Sequence, residues 1–155
     1  MERKERTLRF EPNERGRFFR AITLVGKVFG FEPEILLDTI EHEKAHINEA
    51  ERLGHVDKIY GYSIRVAKRC RIGIGSFSFK FGRDYLVASV LLDDTRVSNQ
   101  DIVRVALAPI QPSSWDFYKA MRAFGFKGEC KRIKEGKYRS DEEYRKDLLK
   151  RANNI

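Results

Sequence analysis

The hydrophobic and polar positions of this chain repeat with a helical period as far as Gly54 and with a strand period after it. In residues 13–29 apolar side chains recur every three or four positions, and Gly30 follows them. A second helical pattern begins at Pro33, a residue that suits the first turn of a helix, and runs to Gly54. The two patterns predict a pair of antiparallel helices joined by a short turn.

Beyond Gly54 the apolar positions alternate as they do in β-strands. The alternation covers residues 60–67 and 72–81, with a change of phase near Gly75 that predicts a bulge or a turn. Residues 84–92 are apolar at both odd and even positions, which is typical of a well-buried strand. We therefore expect an antiparallel sheet of about three strands.

Helix-start signals return in the last third of the chain. Ser98, Ser113 or Ser114, and Ser140 stand where a side-chain oxygen can cap a helix, and apolar residues follow at helical spacing. The order of elements predicts an α+β fold, with an N-terminal helix pair, the sheet, and then C-terminal helices. At this length we expect one domain, 1–155, whose residues 127–155 form a basic C-terminal extension with a terminal helix.

One position of the second helix breaks its apolar stripe. Leu36, Ile40, Ile47 and Ala50 recur at positions i, i+4, i+11 and i+14, and the missing i+7 member is Glu43. An unpartnered carboxylate in a core costs several kcal/mol or holds a proton, so a metal ion, a cation or a bound water is expected beside it. Glu43 is therefore a candidate for chemistry.

The same helix carries histidines in a metal-binding pattern. All three histidines of the chain lie within fourteen residues, and His42 and His46 stand four apart, on one face of the helix. His55 follows Gly54, which frees the chain to turn, and could supply a third nitrogen. The alternative is a solvated helix rich in Glu and Lys that carries histidines without binding metal.

The net charge of +8 is distributed unevenly along the chain. Residues 31–57 contain eight acids and two bases, whereas residues 127–139 contain six bases and two acids. Carboxylates around a histidine pair favour a dication, while the rest of the protein is left strongly positive. The high content of charged residues also suggests a heat-adapted source.

Neither a membrane nor an oxidising compartment is indicated. No apolar run approaches the roughly 18 residues of a membrane span, and the N-terminus lacks the apolar core of a signal peptide. Cys70 and Cys130 are far apart and show no ligand spacing, so we expect reduced thiols. The sequence predicts a soluble, cytoplasmic protein.

The segment TIEHEKAHIN, Thr39 to Asn48, resembles the signature helix of the zincin metallopeptidases, which hydrolyse peptide bonds at a zinc ion. The resemblance implies that His42 and His46 are zinc ligands and that Glu43 is the general base that deprotonates the zinc-bound water. It covers about ten residues, and in zincins most of the sheet precedes this helix, whereas the strand patterns here follow it.

The third ligand is left open between two residues. His55 lies nine residues after His46, and Glu49 lies at i+7 from His42, on the motif face of the helix. We favour His55, because Gly54 lets the chain turn back there. On this hypothesis the protein is a zinc-dependent hydrolase that acts on a peptide or protein substrate.

A second hypothesis is a non-enzymatic module that binds nucleic acid through a basic surface. Cations and aromatic side chains are interleaved along the predicted sheet, as on surfaces that bind single strands. They are Arg65, Lys68, Arg69, Arg71, Lys80 and Arg83 among Tyr60, Tyr62, Phe77, Phe79 and Phe81. Further bases near the C-terminus are Lys131, Arg132, Lys134 and Lys137. The alternative is a solvated basic face over an aromatic core.

Overall fold

A computed structural model describes residues 5–67, 70–74, 77–81, 85–125 and 142–154 of the chain. The residues divide into two compact units: Met1–Ile40 with Tyr60–Leu91, and Glu41–Ile59 with Leu92–Ile155. We call them the first and the second unit. The prediction of a single domain stays a prediction.

The first unit is built from strands and from an N-terminal helix pair. Its elements are β1 (Glu5–Phe10), a 3-10 turn (Pro12–Glu14), α1 (Arg15–Val28), the start of α2 (Pro33–Arg52), β2 (Ile59–Ala67), β3 (Cys70–Ile74), β4 (Phe77–Phe81) and β5 (Tyr85–Leu92). Three strands form an antiparallel sheet in the order β1-β2-β5. The register of β1 on β2 runs from Glu5 opposite Ala67 to Phe10 opposite Tyr62. Strands β3 and β4 pair with each other in a two-stranded antiparallel sheet.

The core of the first unit lies between α1 and the three-stranded sheet. Tyr62, Ile64 and Val66 alternate along β2 as buried side chains. The ring of Tyr62 stacks on that of Phe18 from α1, with 4.8 Å between the centroids. The alternation that identified β2 in the sequence is therefore the alternation that builds this core.

The second unit is helical in its described residues. It contains the rest of α2, two 3-10 turns (Val56–Lys58 and Asp94–Arg96), α3 (Asn99–Ala106), α4 (Ser114–Ala123) and α5 (Glu142–Asn153). Its core is a cluster from α3, α4 and α5: Val103, Ala106, Leu107, Phe117, Ala120, Met121, Leu148 and Ala152.

The predicted α+β class, with helices at both ends and a three-stranded antiparallel sheet, is confirmed. The strands that form this sheet differ from the expected ones. The sheet includes β1, which was not predicted because its sequence resembles a charged tail. An edge strand can be polar on both sides, and the first five residues of β1 are exposed. Residues 72–81, expected in the main sheet, contribute to the separate two-stranded sheet instead. Of the basic extension predicted at 127–155, residues 126–141 lie outside the described residues, and the terminal helix is α5.

Helices α1 and α2 pack closely at Gly26, where a side chain would not fit. A Cβ atom added there would lie 2.1 Å from Leu36 Cδ2, and Leu36 is buried. Gly16, in the same helix, has only Arg20 Nη1 and Nη2 near such a Cβ, at 3.6 and 4.0 Å. The glycine at position 26 is thus explained by helix packing.

Gly26→Ala is expected to lower the free energy of unfolding by about 1–3 kcal/mol, because the methyl group overpacks the contact with Leu36. Gly16→Ala is the matched control and should leave the stability unchanged or raise it by up to about 1 kcal/mol, through helix propensity alone. Urea denaturation of both variants measures the difference. Equal stabilisation by the two alanines would contradict the packing described for Gly26.

Candidate metal centre

The face of α2 that carries the His-Glu-x-x-His sequence is turned into the second unit. Glu43 is 5% exposed and His46 is 7% exposed, next to the buried apolar residues Ile47 and Ala50. The interruption of the apolar stripe by Glu43 therefore places a carboxylate in the interior, as the periodicity predicted. His42 stands at the edge of this face, with 24% of its side chain exposed.

A buried aspartate from α4 meets the two histidines. Asp116 occupies the third position of α4 and forms a capping box with Ser113, the residue before the helix. The Asp116 backbone N–H donates to Ser113 Oγ at 3.2 Å, and the Ser113 backbone N–H donates to Asp116 Oδ2 at 2.9 Å. The start of the helix thus holds the carboxylate in one orientation.

Three side chains converge on one point. His42 Nε2 lies 3.0 Å from Asp116 Oδ2, His46 Nε2 lies 3.3 Å from Asp116 Oδ1, and the two Nε2 atoms lie 3.2 Å apart. One ligand atom from each of these residues lies within 4.8 Å of the others, so the group could hold a metal ion. The geometry brings together the two predicted histidines and a third residue that was not predicted.

Counting protons shows that this point requires a shared proton or a cation. His46 Nδ1 lies 2.7 Å from the Val105 carbonyl oxygen, which only accepts hydrogen bonds, so Nδ1 carries a proton. If His46 is neutral, its Nε2 is then a bare lone pair facing the Asp116 carboxylate. Two acceptors at this distance repel each other unless a proton or a cation lies between them. A second proton on His46, a proton on His42 Nε2 that is shared with Asp116 and His46, or a metal ion meets this requirement.

The pKa shifts in the cluster agree with that count. Burial alone lowers the pKa of His46, but the hydrogen bond to Asp116 and the negative charges of Asp116 and Glu43 hold it above its ordinary value. Burial alone raises the pKa of Asp116, but hydrogen bonds from His42 and His46 hold it far below its usual range. The aspartate is therefore a carboxylate, and a cation beside it is stabilised.

Glu43 shows the opposite shift. Burial raises its pKa from 4.5 to about 7, although the charges of His46 and His42, and to a smaller extent Lys119, act to lower it. No hydrogen bond or ion pair joins Glu43 to another of the residues that the structure describes. A carboxyl group with a pKa near neutrality beside two imidazoles is suited to take up and release a proton.

The third predicted ligand, His55, lies elsewhere. Gly54 and His55 end α2 in a Schellman motif, in which the His55 N–H donates to the Ala50 carbonyl at 2.8 Å and the Gly54 N–H donates to the Glu51 carbonyl at 3.0 Å. His55 Nε2 then pairs with Asp101 Oδ2 at 2.6 Å, in the first turn of α3. The turn at Gly54 occurs as expected, but it directs the imidazole to α3 and not to the histidine pair.

The other candidate, Glu49, pairs with Arg52 on the same helix. The structure therefore brings Asp116 to the histidines in place of His55 or Glu49. A signal for Asp116 was present in the sequence, since Ser113 and Asp116 have capping-box spacing. What the sequence lacked was any indication that α4 packs its first turn against α2.

The predicted nucleic-acid surface is described only in part. Lys68, Arg69, Arg83 and residues 131–137 lie outside the described residues. Tyr62, named among the aromatic platforms, is buried at 1% exposure and accepts a hydrogen bond from Arg15, so it is a core residue. Tyr60 is exposed. Nucleic-acid binding stays a prediction.

Comparison of the chain with models of protein families, with curated proteins and with solved structures gives no match. Among the described residues, no helix is both long and apolar enough to cross a membrane. The functional argument therefore depends on the geometry of the site.

Glu43→Gln is expected to stabilise the metal-free protein in a pH-dependent way. Because the pKa of Glu43 is about 7 when folded and about 4.5 when unfolded, the wild type loses stability as pH rises through this window. The variant does not titrate, so it should match the wild type near pH 4.5 and exceed it by about 3 kcal/mol at pH 8.

Denaturant unfolding in the presence of a chelator measures this difference. Glu41→Gln, at an exposed position paired with Lys44, is the control and should change stability little at either pH. Added zinc should shrink the advantage of Glu43→Gln, because a cation favours the carboxylate. A gain that is the same at pH 4.5 and pH 8 would be incompatible with a buried, titrating Glu43.

Proposed function

We propose that this protein is a metal-dependent hydrolase whose centre is formed by His42, His46 and Asp116, with Glu43 as the general base. The observation that supports it most strongly is the convergence of two imidazole nitrogens and a buried carboxylate on a point that a metal ion can occupy.

The set of ligand atoms favours zinc. Two imidazoles and one carboxylate are typical of catalytic zinc sites, and three protein ligands leave a fourth position of a tetrahedral ion for water or substrate. The surroundings of the ligands support the same proposal. The Val105 carbonyl fixes the ring of His46, and Ser113 fixes the carboxylate of Asp116, which are the supporting contacts that metal ligands ordinarily have.

Glu43 is placed to handle protons. A zinc ion held by these residues would supply Lewis acidity, which would polarise a substrate carbonyl and lower the pKa of water at the centre. Glu43 takes the proton of the attacking water and passes it to the leaving group, a role for which its pKa of about 7 is suited. The exposed edge of His42 gives solvent access to the cluster.

A peptide bond is the proposed substrate bond, because the resemblance of Thr39 to Asn48 to zincins implies it. The negative charge that develops on the substrate oxygen needs a donor besides the metal. Lys119 is our candidate for this donor. It lies one turn after Asp116 on α4, and its positive charge acts to lower the pKa of Glu43.

Purified protein is expected to contain about one equivalent of zinc per chain. His42→Ala and Asp116→Ala should each lower the metal content sharply, because two ligands remain. His55→Ala should keep it, since His55 pairs with Asp101 and is not in the cluster. Elemental analysis of untagged protein measures the zinc content of the wild type and of the three variants. Zinc that is retained in Asp116→Ala and lost in His55→Ala would place the metal elsewhere.

Glu43→Gln should retain zinc and lose turnover of a peptide substrate by a factor of about 10² to 10⁴, the usual contribution of a general base. The matched control is Glu41→Gln, a change of the same kind at an exposed position of the same helix, outside the cluster. Hydrolysis can be followed by mass spectrometry of a peptide library, in zinc-loaded and chelator-treated samples. Turnover that persists undiminished in Glu43→Gln would remove Glu43 from the mechanism.

A further inference from the structure

A groove of about 410 Å³ lies in the second unit, along the side of α2 that adjoins the histidines. Its lining comes from α2, from α3 with the residues that follow it, and from α5: Ala45, Asn48, Glu49, Arg52, Arg104, Leu107, Ala108, Arg145 and Leu149. Three of these residues are arginines, and Glu49 is the only acid among them. Arginine therefore outnumbers acid in the lining, over an apolar floor, and each arginine pairs with one carboxylate: Arg52 with Glu49, Arg104 with Asp101 and Arg145 with Glu142.

The groove is close to the candidate centre along the chain and on the helix surface. Ala45 and Glu49 come three and seven residues after His42, the spacings that share a helix face. On the α3 side, Ala108 comes three residues after Val105, whose carbonyl holds His46. Two lining residues of the groove therefore share a face of α2 with His42.

Two of the arginines are held rigidly by main-chain carbonyls. Arg145 Nε donates to the Leu107 carbonyl at 2.8 Å and its Nη2 donates to the Ala108 carbonyl at 3.2 Å, so α5 caps the end of α3. Arg104 Nη2 in turn donates to the Ala152 carbonyl at 3.3 Å, at the end of α5. These bonds fix the guanidinium groups before any ligand arrives, which reduces the entropic cost of binding.

Each of these guanidinium groups still has donors to offer. A guanidinium carries five N–H groups, and the described hydrogen bonds of Arg104 and Arg145 use three on each. The third arginine, Arg52, is paired with Glu49 within the groove. A carboxylate entering from solvent would therefore meet fixed N–H donors. It would compete with Glu49 for Arg52, and with Asp101 and Glu142 for the other two arginines.

We propose that this groove binds a carboxylate of an acidic peptide and so selects the substrates of the centre next to it. The choice of a peptide rests on the proposed function, and the choice of a carboxylate rests on the arginines. Planar guanidinium forks match the geometry of a carboxylate. The carboxylate belongs either to an Asp or Glu side chain or to the C-terminus of the peptide.

Binding of three synthetic pentapeptides separates these sources. Each carries the same neutral fluorophore at its N-terminus: one has a central Glu and an amidated end, one a central Gln and an amidated end, and one a central Gln and a free C-terminal carboxylate. Fluorescence anisotropy with the whole protein at low salt should show that one of the charged peptides binds about tenfold more tightly than the neutral peptide. Equal affinity for all three would overturn the proposal.

Substitutions in the groove test carboxylate binding by a predicted gain and a predicted loss of affinity. Glu49→Gln should tighten binding of the preferred charged peptide several-fold, because it removes the competing acid, whereas Glu41→Gln, on an exposed pair outside the groove, should not. Arg52→Gln should weaken that binding, while Arg122→Gln, an exposed position on α4, should change it little. A gain cannot result from unfolding, so an unchanged affinity in Glu49→Gln contradicts the proposal.

A failure of the groove proposal can be distinguished from a failure of the proposed hydrolase function. The anisotropy series is run on zinc-loaded and on chelator-treated protein. If the protein fails to take up zinc and still prefers a charged peptide, the groove proposal is supported and the hydrolase proposal is contradicted. Zinc-dependent hydrolysis of neutral and acidic peptides at equal rates would support the hydrolase and contradict the groove.

Discussion

The candidate site depends on one electrostatic constraint: imidazole nitrogens of His46 and His42 face the buried carboxylate of Asp116 at about hydrogen-bond distance. The Val105 carbonyl fixes the proton of His46 on Nδ1, and Nε2 is then directed at a carboxylate. A proton or a cation between these atoms makes the arrangement favourable. A proton on His46 satisfies it in the absence of metal, and a divalent ion satisfies it with more ligands. The same constraint accounts for the burial of Glu43, whose carboxylate is tolerated only near such a charge.

The ends of helices hold this arrangement in place. Asp116 stands in the first turn of α4, where it caps the helix through Ser113 while its oxygens face the histidines. Val105 stands in the last turn of α3, where its carbonyl accepts from His46 Nδ1 in addition to a longer bond from the Ala108 N–H at 3.4 Å. The reciprocal arginine caps of α3 and α5 also use carbonyls near helix ends. Groups at helix ends thus supply contacts of both the site and the groove.

Structural features that depend on a local sequence pattern could be predicted from the sequence. The apolar stripe of α2 correctly placed Glu43 in the interior, and Gly54 correctly marked the end of the helix. The direction taken by His55 after that glycine could not be predicted, because it depends on Asp101, 46 residues away. Strand β1 was missed because an edge strand need not show alternation, and its polar residues resemble a tail.

The choice of Asp116 lay beyond sequence reasoning for a related reason. A capping box has the same sequence whether its aspartate faces solvent or a pair of histidines. Only the packing of α4 in the second unit distinguishes the two cases, and long-range packing leaves no local signature. The groove beside α2 was missed in the same way, since its arginines come from separate helices.

The most direct test of the electrostatic constraint is the ¹⁵N NMR spectrum of the three histidine side chains at pH 6, recorded before and after zinc is added. The account predicts that His46 is protonated on both nitrogens without metal, and that zinc removes the proton from Nε2 and leaves the one on Nδ1. His42 should shift with it, and His55 should not. A His46 that is neutral at pH 6 with its proton on Nε2, or a zinc response confined to His55, would contradict the account.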